Sequence, residues 1–250
     1  MELTQRANSG LHTHVFDRIQ LIEPRFDAVV LDVGCGTGAL LAKLQQAGYR
    51  QLRGLDISPP PTFDGIEFVE ADLDDCRSGI PDASIDLVVA VEVIEHIENL
   101  GSLLTELHRV LASNGSMFFT TPNLHSLEAR IRWMFNAELK QFDKLGDPTH
   151  VMPIFEFPFR RVLARHGFAI QDSWGFPVNG FSQTSRPVLR GLASMASLLR
   201  LRGAPSGDQW CMVIKKSIAP IATDFESKRN AVTHHYGLRD KAETMRRVPV

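Results

Sequence analysis

Cysteine is scarce in this chain of 250 residues, which has three cysteines, at positions 35, 76 and 211. An odd number of widely separated cysteines provides neither a disulfide framework nor the ligand spacing of a zinc site. The pattern is typical of a protein in a reducing compartment, and we expect a cytoplasmic location.

An excess of charge of one sign is also missing. The 27 lysines and arginines nearly balance the 29 aspartates and glutamates, which gives a formal net charge of -2. This balance provides no overall attraction to nucleic acid or to an anionic membrane, so we expect no nucleic-acid partner. The sequence specifies no oligomeric state. No run approaches the roughly 18 apolar residues of a membrane-spanning helix, and the N-terminus lacks the apolar core of a signal peptide. The sequence predicts a soluble protein without a transmembrane segment, for which peripheral membrane contact stays open.

Strand-like apolar runs alternate with helical patterns along the chain. An amphipathic helix is predicted over 12–24 and further helices over 38–49 and 99–115, the last ending in Asn114-Gly115 as a C-cap. Several of the strands are too apolar to have a solvent-facing side, which is typical of buried parallel strands. The alternation predicts an α/β fold, doubly wound around a seven-stranded, mainly parallel sheet with helices on both faces. The seven strands are predicted at 28–33, 52–57, 66–71, 85–91, 116–121, 169–174 and 208–216, the last of which we expect to be antiparallel.

A glycine-rich turn follows the first strand in the stretch VLDVGCGTGAL, residues 30–40. It also satisfies the dinucleotide pattern G-x-G-x-x-A, with Asp56 at the distance of a ribose-binding carboxylate. Charge favours a different ligand, because Asp32, Asp56 and Asp72 stand at the carboxyl ends of the first three strands and no lysine or arginine lies within 30–40. Such a rim opposes a pyrophosphate and favours a cation.

The series LDVGCGTG, GLDIS, EADLDD, DLVVAVEVIEH and LHRVLASNGSMFFTTPN resembles class I S-adenosylmethionine-dependent methyltransferases, with their Rossmann-like fold. Within that group it is most similar to the ubiquinone-pathway O-methyltransferases, of the type 11/12 methyltransferase domain. The resemblance implies S-adenosylmethionine as cofactor. It places the methionine part at Asp32, Gly34, Gly36 and Gly38, the ribose hydroxyls at Asp56, the adenine at Ile57, Asp72 and Leu73, and Glu92 at the floor of the pocket.

Methyl transfer to a hydroxyl gains from a base that works near neutral pH, and histidine fits that task. The candidates are His96, His125 and His150. We favour His150 as the catalytic residue, with His96 second, because His150 lies in an irregular, proline-flanked segment after the fifth strand. The alternative is that His150 bonds a loop carbonyl and only shapes the segment.

The cluster Glu92, Glu95 and His96 forms an E-x-x-E-H pattern. It resembles one used with a metal in ubiquinone-pathway O-methyltransferases and in small-RNA terminal ribose methyltransferases, with His125 or His150 as a further ligand. Similar sequences also occur without a metal role, so we assign no metal site and keep a divalent metal as an alternative.

The domain boundaries place a methyltransferase domain at 1–216 and a polar tail at 217–250. A basic amphipathic helix is predicted at 186–202. Its alternative roles are to rest on a lipid surface, to cover the acceptor pocket or to pack on the domain. The interpretation is a methyltransferase acting on a small-molecule or lipid-linked acceptor, at oxygen. The alternatives are an NAD(P)-dependent oxidoreductase, a non-catalytic methyltransferase-like binding module and an RNA terminal ribose methyltransferase.

Overall fold

The computed structural model describes residues 10–58, 64–75, 77–144, 146–177 and 207–217. The helix predicted at 186–202 lies outside these residues, as does all of the predicted tail except Ser217.

The described residues form one sheet of seven strands with the order β3-β2-β1-β4-β5-β7-β6. The first five strands are mutually parallel, and β7 is antiparallel to both β5 and β6. The predicted seven-stranded sheet and its antiparallel last strand are therefore confirmed. The strands are β1 Val29–Val33, β2 Gln51–Asp56, β3 Ile66–Glu70, β4 Ile85–Val91, β5 Leu111–Pro122, β6 Phe168–Phe176 and β7 Gln209–Lys216.

Helices cover both faces of the sheet because successive strand residues point to opposite sides. On one face Val30, Val89 and Phe118 pack against the two N-terminal helices. On the other, Leu31 and Val88 pack with the helices that precede β5 and β6. The helices are α1 Leu11–Ile22, α2 Ala39–Gln46, α3 Leu100–Val110, α4 Leu127–Asn136 and α5 Glu156–Arg165, with a 3-10 turn at Ile94–His96. None of the helices described is long and apolar enough to cross a membrane.

The predicted helix end at Asn114-Gly115 is wrong. Helix α3 ends at Val110, and β5 begins with the next residue. Leu111 already pairs with Ile85 of β4, whereas the regular register resumes only with Ser116 opposite Leu87. Asn114 and Gly115 therefore occupy an irregular part of the strand, where pairing with a distant strand overrides a local helix-ending signal.

The strand order reverses between β1 and β4, whose outgoing connections leave toward opposite faces. Such a reversal opens a crevice at the carboxyl ends of the strands, which is where doubly wound proteins bind their ligands.

Candidate functional site

A cavity of about 670 Å³ lies at this edge of the sheet. Its walls contain the residues that immediately end or follow the first four strands, so the fold alone brings together side chains far apart in sequence. Gly38 is the one predicted cofactor residue outside the lining, because it caps α2. The predicted site residues that line the cavity are Asp32, Gly34, Gly36, Asp56, Ile57, Asp72, Leu73, Glu92, His96 and His150.

The turn between β1 and α2 needs glycine for two different reasons. Gly34 has φ +69°, and a Cβ there would lie 2.6 Å from Cγ2 of Val93. Gly36 has φ +52° with open space around it, so its backbone conformation is what favours glycine. The Gly36 N–H donates to Oδ2 of Asp56 at 2.9 Å, which connects the turn to the end of β2.

Asp32 lies in β1 directly before this turn and is only 4% exposed. Burial, and secondarily the charge of Asp56, raise the pKa of Asp32 to about 8. A carboxyl group in this state takes up a proton or a cationic group from a ligand. The position is therefore suited to the ammonium of the methionine part.

Asp56 presents both of its oxygens at the cavity wall. Oδ2 accepts the Gly36 N–H and Oδ1 accepts the Ser58 N–H at 3.0 Å. A carboxylate has about four lone-pair sites, so each oxygen keeps a site for a hydroxyl. Beside it Ile57 exposes 63% of its surface at the cavity. A polar acceptor next to an apolar surface suits a ribose followed by a planar base.

Glu92 follows β4 with φ +55°. The Thr120 hydroxyl donates to its Oε1 at 2.9 Å, and the Glu92 N–H donates to the Thr120 carbonyl at 3.2 Å. Burial raises the pKa of Glu92 to about 7, and the hydrogen bond from Thr120 opposes that shift. The carboxyl group is thus tied to β5 at the floor of the cavity.

The hydrogen bonds of His96 and His150 define the tautomer of each ring. Nδ1 of His150 lies 2.9 Å from the Gln141 carbonyl, and Nδ1 of His96 lies 3.1 Å from the Thr149 carbonyl. A carbonyl only accepts, so Nδ1 carries the proton in both rings. The Thr149 hydroxyl supports this proton position for His96. It donates its own hydrogen to Asp147 and therefore accepts from Nδ1 of His96. In the neutral form of each ring, the lone pair is therefore on Nε2.

His125 lies outside the cavity lining, in contrast to the other two candidate histidines. Its Nε2 accepts the Glu156 N–H at 3.0 Å, at the start of α5, and its ring packs edge to face on Trp210. The structure thus gives His125 a capping role. Among the cavity residues that the sequence analysis did not anticipate are His12, Gln141, Asp147 and Thr149. Gln141, Asp147 and Thr149 belong to the same irregular segment as His150, and this was the one feature of the sequence that indicated them.

Helix α4 buries only Ala129. Trp133 and Phe135 are 55% and 75% exposed, so this helix does not pack its aromatic side chains on the sheet. Arg132 instead pairs with Asp143 at 2.7 Å. The helix therefore leaves an apolar surface beside the segment that follows it.

A carboxylate and the two imidazoles form a possible metal-binding group. One ligand atom from each of Glu95, His96 and His150 lies within 4.8 Å of the other two. Glu95 is fully buried, and both its carboxylate oxygens lack a hydrogen-bond partner among the described residues. Burial and the charge of Glu92 raise the pKa of Glu95. Two imidazoles whose Nδ1 donates to a carbonyl, with a carboxylate, match the donor set of a divalent metal.

A sheet of this order, with a glycine turn after β1 and carboxylates ending β1 and β2, defines the fold of S-adenosylmethionine-dependent methyltransferases. The methyltransferase domain family matches residues 8–173, and the chain belongs to that family. The oxidoreductase alternative is thereby set aside.

Named relatives agree with this assignment. The chain is 29% identical over 175 residues to the human mitochondrial ubiquinone biosynthesis O-methyltransferase, covering 64% of this chain and 46% of that protein. It thus spans less than half the length of that relative. A methyltransferase structure from Archaeoglobus fulgidus has a TM-score of 0.55 at 22% identity, covering 82% of this chain and 94% of that one. The Burkholderia thailandensis 1,6-didemethyltoxoflavin-N1-methyltransferase, with bound S-adenosylhomocysteine, has a TM-score of 0.54 at 16% identity, covering 84% and 80%. These two show the shared fold.

Proposed function

We propose that the protein transfers a methyl group from S-adenosylmethionine to an oxygen atom of a small-molecule or lipid-linked acceptor. The observation that carries the proposal is one cavity lined by two chemically different kinds of group. Asp32 and Asp56 contribute carboxylates to its wall, and His150, whose Nδ1 is occupied by the Gln141 carbonyl, contributes an imidazole.

The cofactor would be held by the residues that end the first three strands. Asp32 and the Gly34–Gly36 turn would take the methionine part, and Asp56 the ribose. Asp72, Leu73 and Ile57 would surround the adenine. When bound, S-adenosylmethionine supplies a methyl group on a sulfonium with its own leaving group. The protein then has to align the acceptor and exclude water, and alignment alone supplies much of such a rate gain.

His150 would act as the proton acceptor. Its Nδ1 is occupied by the Gln141 carbonyl, so a hydroxyl entering the cavity meets the Nε2 lone pair. Nε2 would take the proton of the acceptor hydroxyl as the methyl group passes from sulfur to oxygen, which would leave S-adenosylhomocysteine, and the ring would then return that proton to solvent. His96 lies beside it, with burial and the neighbouring His150 lowering the pKa of His96, so a proton is not retained there.

Two observations support the acceptor class. The human relative is named an O-methyltransferase of ubiquinone biosynthesis, which supports oxygen as the attacked atom in this chain. Helix α4, which exposes Trp133 and Phe135, is joined by the Arg132–Asp143 pair to the segment that lines the cavity, and its apolar surface suits an acceptor with an apolar part.

The test is formation of S-adenosylhomocysteine with a panel of phenols, catechols and lipid-linked phenols. His150→Ala is expected to lower kcat about 100-fold or more while the dissociation constant of S-adenosylhomocysteine stays within about twofold. His125→Asn is the matched control, because an amide oxygen can also accept the Glu156 N–H. Equal activity of the two variants would contradict the role of His150. Cofactor binding without turnover of any acceptor would favour a binding module.

A second candidate is transfer assisted by a divalent metal at Glu95, His96 and His150. The unpartnered, buried carboxylate of Glu95 specifically favours it. A metal there would act as a Lewis acid that lowers the pKa of an acceptor hydroxyl. A ribose hydroxyl at the end of an RNA is another acceptor that such a metal would activate in the same way. Dialysis against a chelator separates the candidates, because base catalysis by His150 survives it and metal-assisted transfer requires Mg²⁺, Zn²⁺ or Co²⁺ to be restored.

A further inference from the structure

Residues 137–150 connect α4 to the final part of the cavity wall, and we call them the 137–150 segment. Its described residues contain neither helix nor strand, although Gln141, Asp147 and His150 line the cavity. Its C-terminal end is fixed by backbone bonds, since the N–H groups of Val151 and Met152 donate to the Glu95 carbonyl at 3.0 and 2.9 Å. The N-terminal half has the 2.7 Å pair between Asp143 and Arg132 of α4 and one further anchor, which also reaches the sheet.

That anchor is a buried lysine. Lys140 is only 7% exposed, whereas lysine is almost never buried unless it is paired. Its Nζ lies 2.9 Å from Oε2 of Glu128 in α4 and 2.6 Å from Oδ1 of Asp208. Asp208 is itself fixed at the sheet, because its N–H donates to the Phe176 carbonyl and its carbonyl accepts the Asn123 N–H, each at 2.7 Å. Lys140 thus joins the segment to both α4 and the sheet.

The residue after Lys140 provides the acceptor for His150. Gln141 has φ +69°, a left-handed conformation that is uncommon outside glycine and fixes where its carbonyl points. That carbonyl accepts from Nδ1 of His150 at 2.9 Å. A shift of Lys140 would therefore change the one hydrogen bond that selects the tautomer of His150.

We propose that Lys140 is a positioning residue for methyl transfer: pairing with Glu128 and Asp208 fixes the Gln141 carbonyl and so keeps the proton of His150 on Nδ1. Nε2 then stays free for the acceptor hydroxyl or a metal. The inference rests on the proposed function for its kinetic consequence, whereas the tautomer itself is independent of that function.

The charge of Lys140 matters as much as its shape. It is the cation between two carboxylates, and the charge of Asp208 contributes to raising the pKa of Glu92 at the cavity floor. Removing Lys140 alone would leave the buried carboxylate of Asp208 without its cation, which endangers the fold. A useful variant therefore neutralises all three side chains together.

The test uses the full chain carrying Lys140→Met, Glu128→Gln and Asp208→Asn, called the neutral variant. Nitrogen-15 NMR of labelled histidine measures the His150 tautomer, with His150→Asn identifying its signals. We expect wild type to show Nδ1–H almost exclusively and the folded neutral variant to show a mixture of tautomers. With an active acceptor, kcat is expected to fall about 10- to 100-fold while KM for the cofactor stays within twofold. The control Arg160→Met breaks the 3.0 Å pair with Glu156 on α5 and should change neither readout.

An unchanged His150 tautomer in the folded neutral variant would overturn the inference. If that variant does not fold, Lys140→Met combined with Asp208→Asn still removes both bonds of the Lys140 ammonium, and a tautomer ratio equal to wild type would overturn the inference equally. Failure of the proposed function gives a different pattern, in which His150→Ala leaves kcat unchanged while the neutral variant still shifts the tautomer.

Discussion

His96 and His150 meet edge to face, with ring centroids 4.7 Å apart and each Nδ1 beside a backbone carbonyl. One ring nitrogen of each histidine lies within 4.8 Å of the other and of a carboxylate oxygen of the buried Glu95. With Glu95 protonated, the pair of rings can accept a proton from an acceptor hydroxyl. With Glu95 ionised, the same three groups can hold a divalent cation.

The affinity for S-adenosylhomocysteine is expected to rise with pH between about pH 6 and 8. The pKa of Asp32 is about 8 in the free protein because of burial, so the group is mostly protonated at pH 6. A bound ammonium requires the ionised form, so binding releases about one proton, and the affinity gains up to about tenfold per pH unit below the pKa. Calorimetry in two buffers of different ionisation enthalpy measures the released proton. A pH-independent affinity would contradict the assignment.

Asp32→Asn provides the control for that measurement and a prediction of its own. It should weaken binding and remove the proton release. A carboxyl group whose pKa is raised in the folded state destabilises the fold once pH exceeds its unfolded pKa of about 3.9. The ligand-free variant is therefore expected to melt at a higher temperature than wild type at pH 8 and at the same temperature near pH 4. Thermal melts at both pH values check this.

Asp56→Ala is expected to weaken S-adenosylhomocysteine binding about 100-fold or more. The change removes an acceptor for two ribose hydroxyls, and hydrogen bonds to charged groups contribute about 1.5 to 3 kcal/mol each. It also removes the partner of the Gly36 N–H in the glycine turn. Asp172→Ala is the matched control, since that side chain is 63% exposed and pairs with Arg18 away from the cavity. Equal dissociation constants for the two variants would rule out Asp56 as the ribose acceptor.

Glu95→Gln is expected to abolish the binding of Co²⁺ without lowering the melting temperature of the metal-free protein. Neither carboxylate oxygen has a partner with full hydrogen-bond geometry among the described residues, and the oxygen of a neutral amide can keep the interaction with Thr121. The visible absorption of Co²⁺ reports its ligands directly. Glu98→Gln is the control, because Glu98 is exposed three residues further on. Retention of the Co²⁺ spectrum in Glu95→Gln would exclude Glu95 as a ligand.

The meeting of the glycine turn and the three aspartates at one edge of the sheet could be predicted from sequence, because it depends on local patterns. The glycines follow a buried strand directly, and the parallel arrangement brings Asp32, Asp56 and Asp72 to one edge. The strand boundaries near Asn114 and Gly115 depend on pairing with β4, which no local signal encodes. Local sequence patterns therefore determine whether a segment favours helix or strand, and pairing with a distant strand determines where that helix or strand ends.

The contacts of the histidines and of Lys140 were harder to predict from sequence, because they join residues that are far apart in the chain. The sequence favours His150 only through its irregular, proline-flanked segment, and the Glu156 N–H that bonds His125 becomes visible only in the structure. Nothing in the sequence around Lys140 indicates burial, because its partner Asp208 lies 68 residues away. A charged residue in an irregular segment is ordinarily exposed, so only the folded structure shows this anchor.

The fold itself has a pH-sensitive contact far from the cavity, at Glu106 of α3. Its carboxylate accepts the Ser78 N–H at 3.0 Å and the Ser78 hydroxyl at 2.6 Å, and Arg109 donates to both oxygens. The bond from Arg109, with those from Ser78, lowers the pKa of Glu106 to about 2, although burial opposes the shift. A group whose pKa is lowered in the folded state stabilises the fold at pH values above its unfolded pKa of about 4.3. This stabilisation is lost as the pH falls toward 2.

Glu106→Gln is therefore expected to lower the free energy of unfolding by about 2 kcal/mol at pH 7, since Arg109 is partly exposed and its contribution is screened. The difference from wild type should shrink steadily between about pH 4 and pH 2. Urea denaturation at several pH values measures it, with Glu67→Gln, a more exposed partner of Arg53, as control. If the difference in unfolding free energy between wild type and Glu106→Gln stays constant down to pH 2, Glu106 contributes through its shape and not through its charge. A contribution from the charge would shrink as the carboxylate takes up a proton.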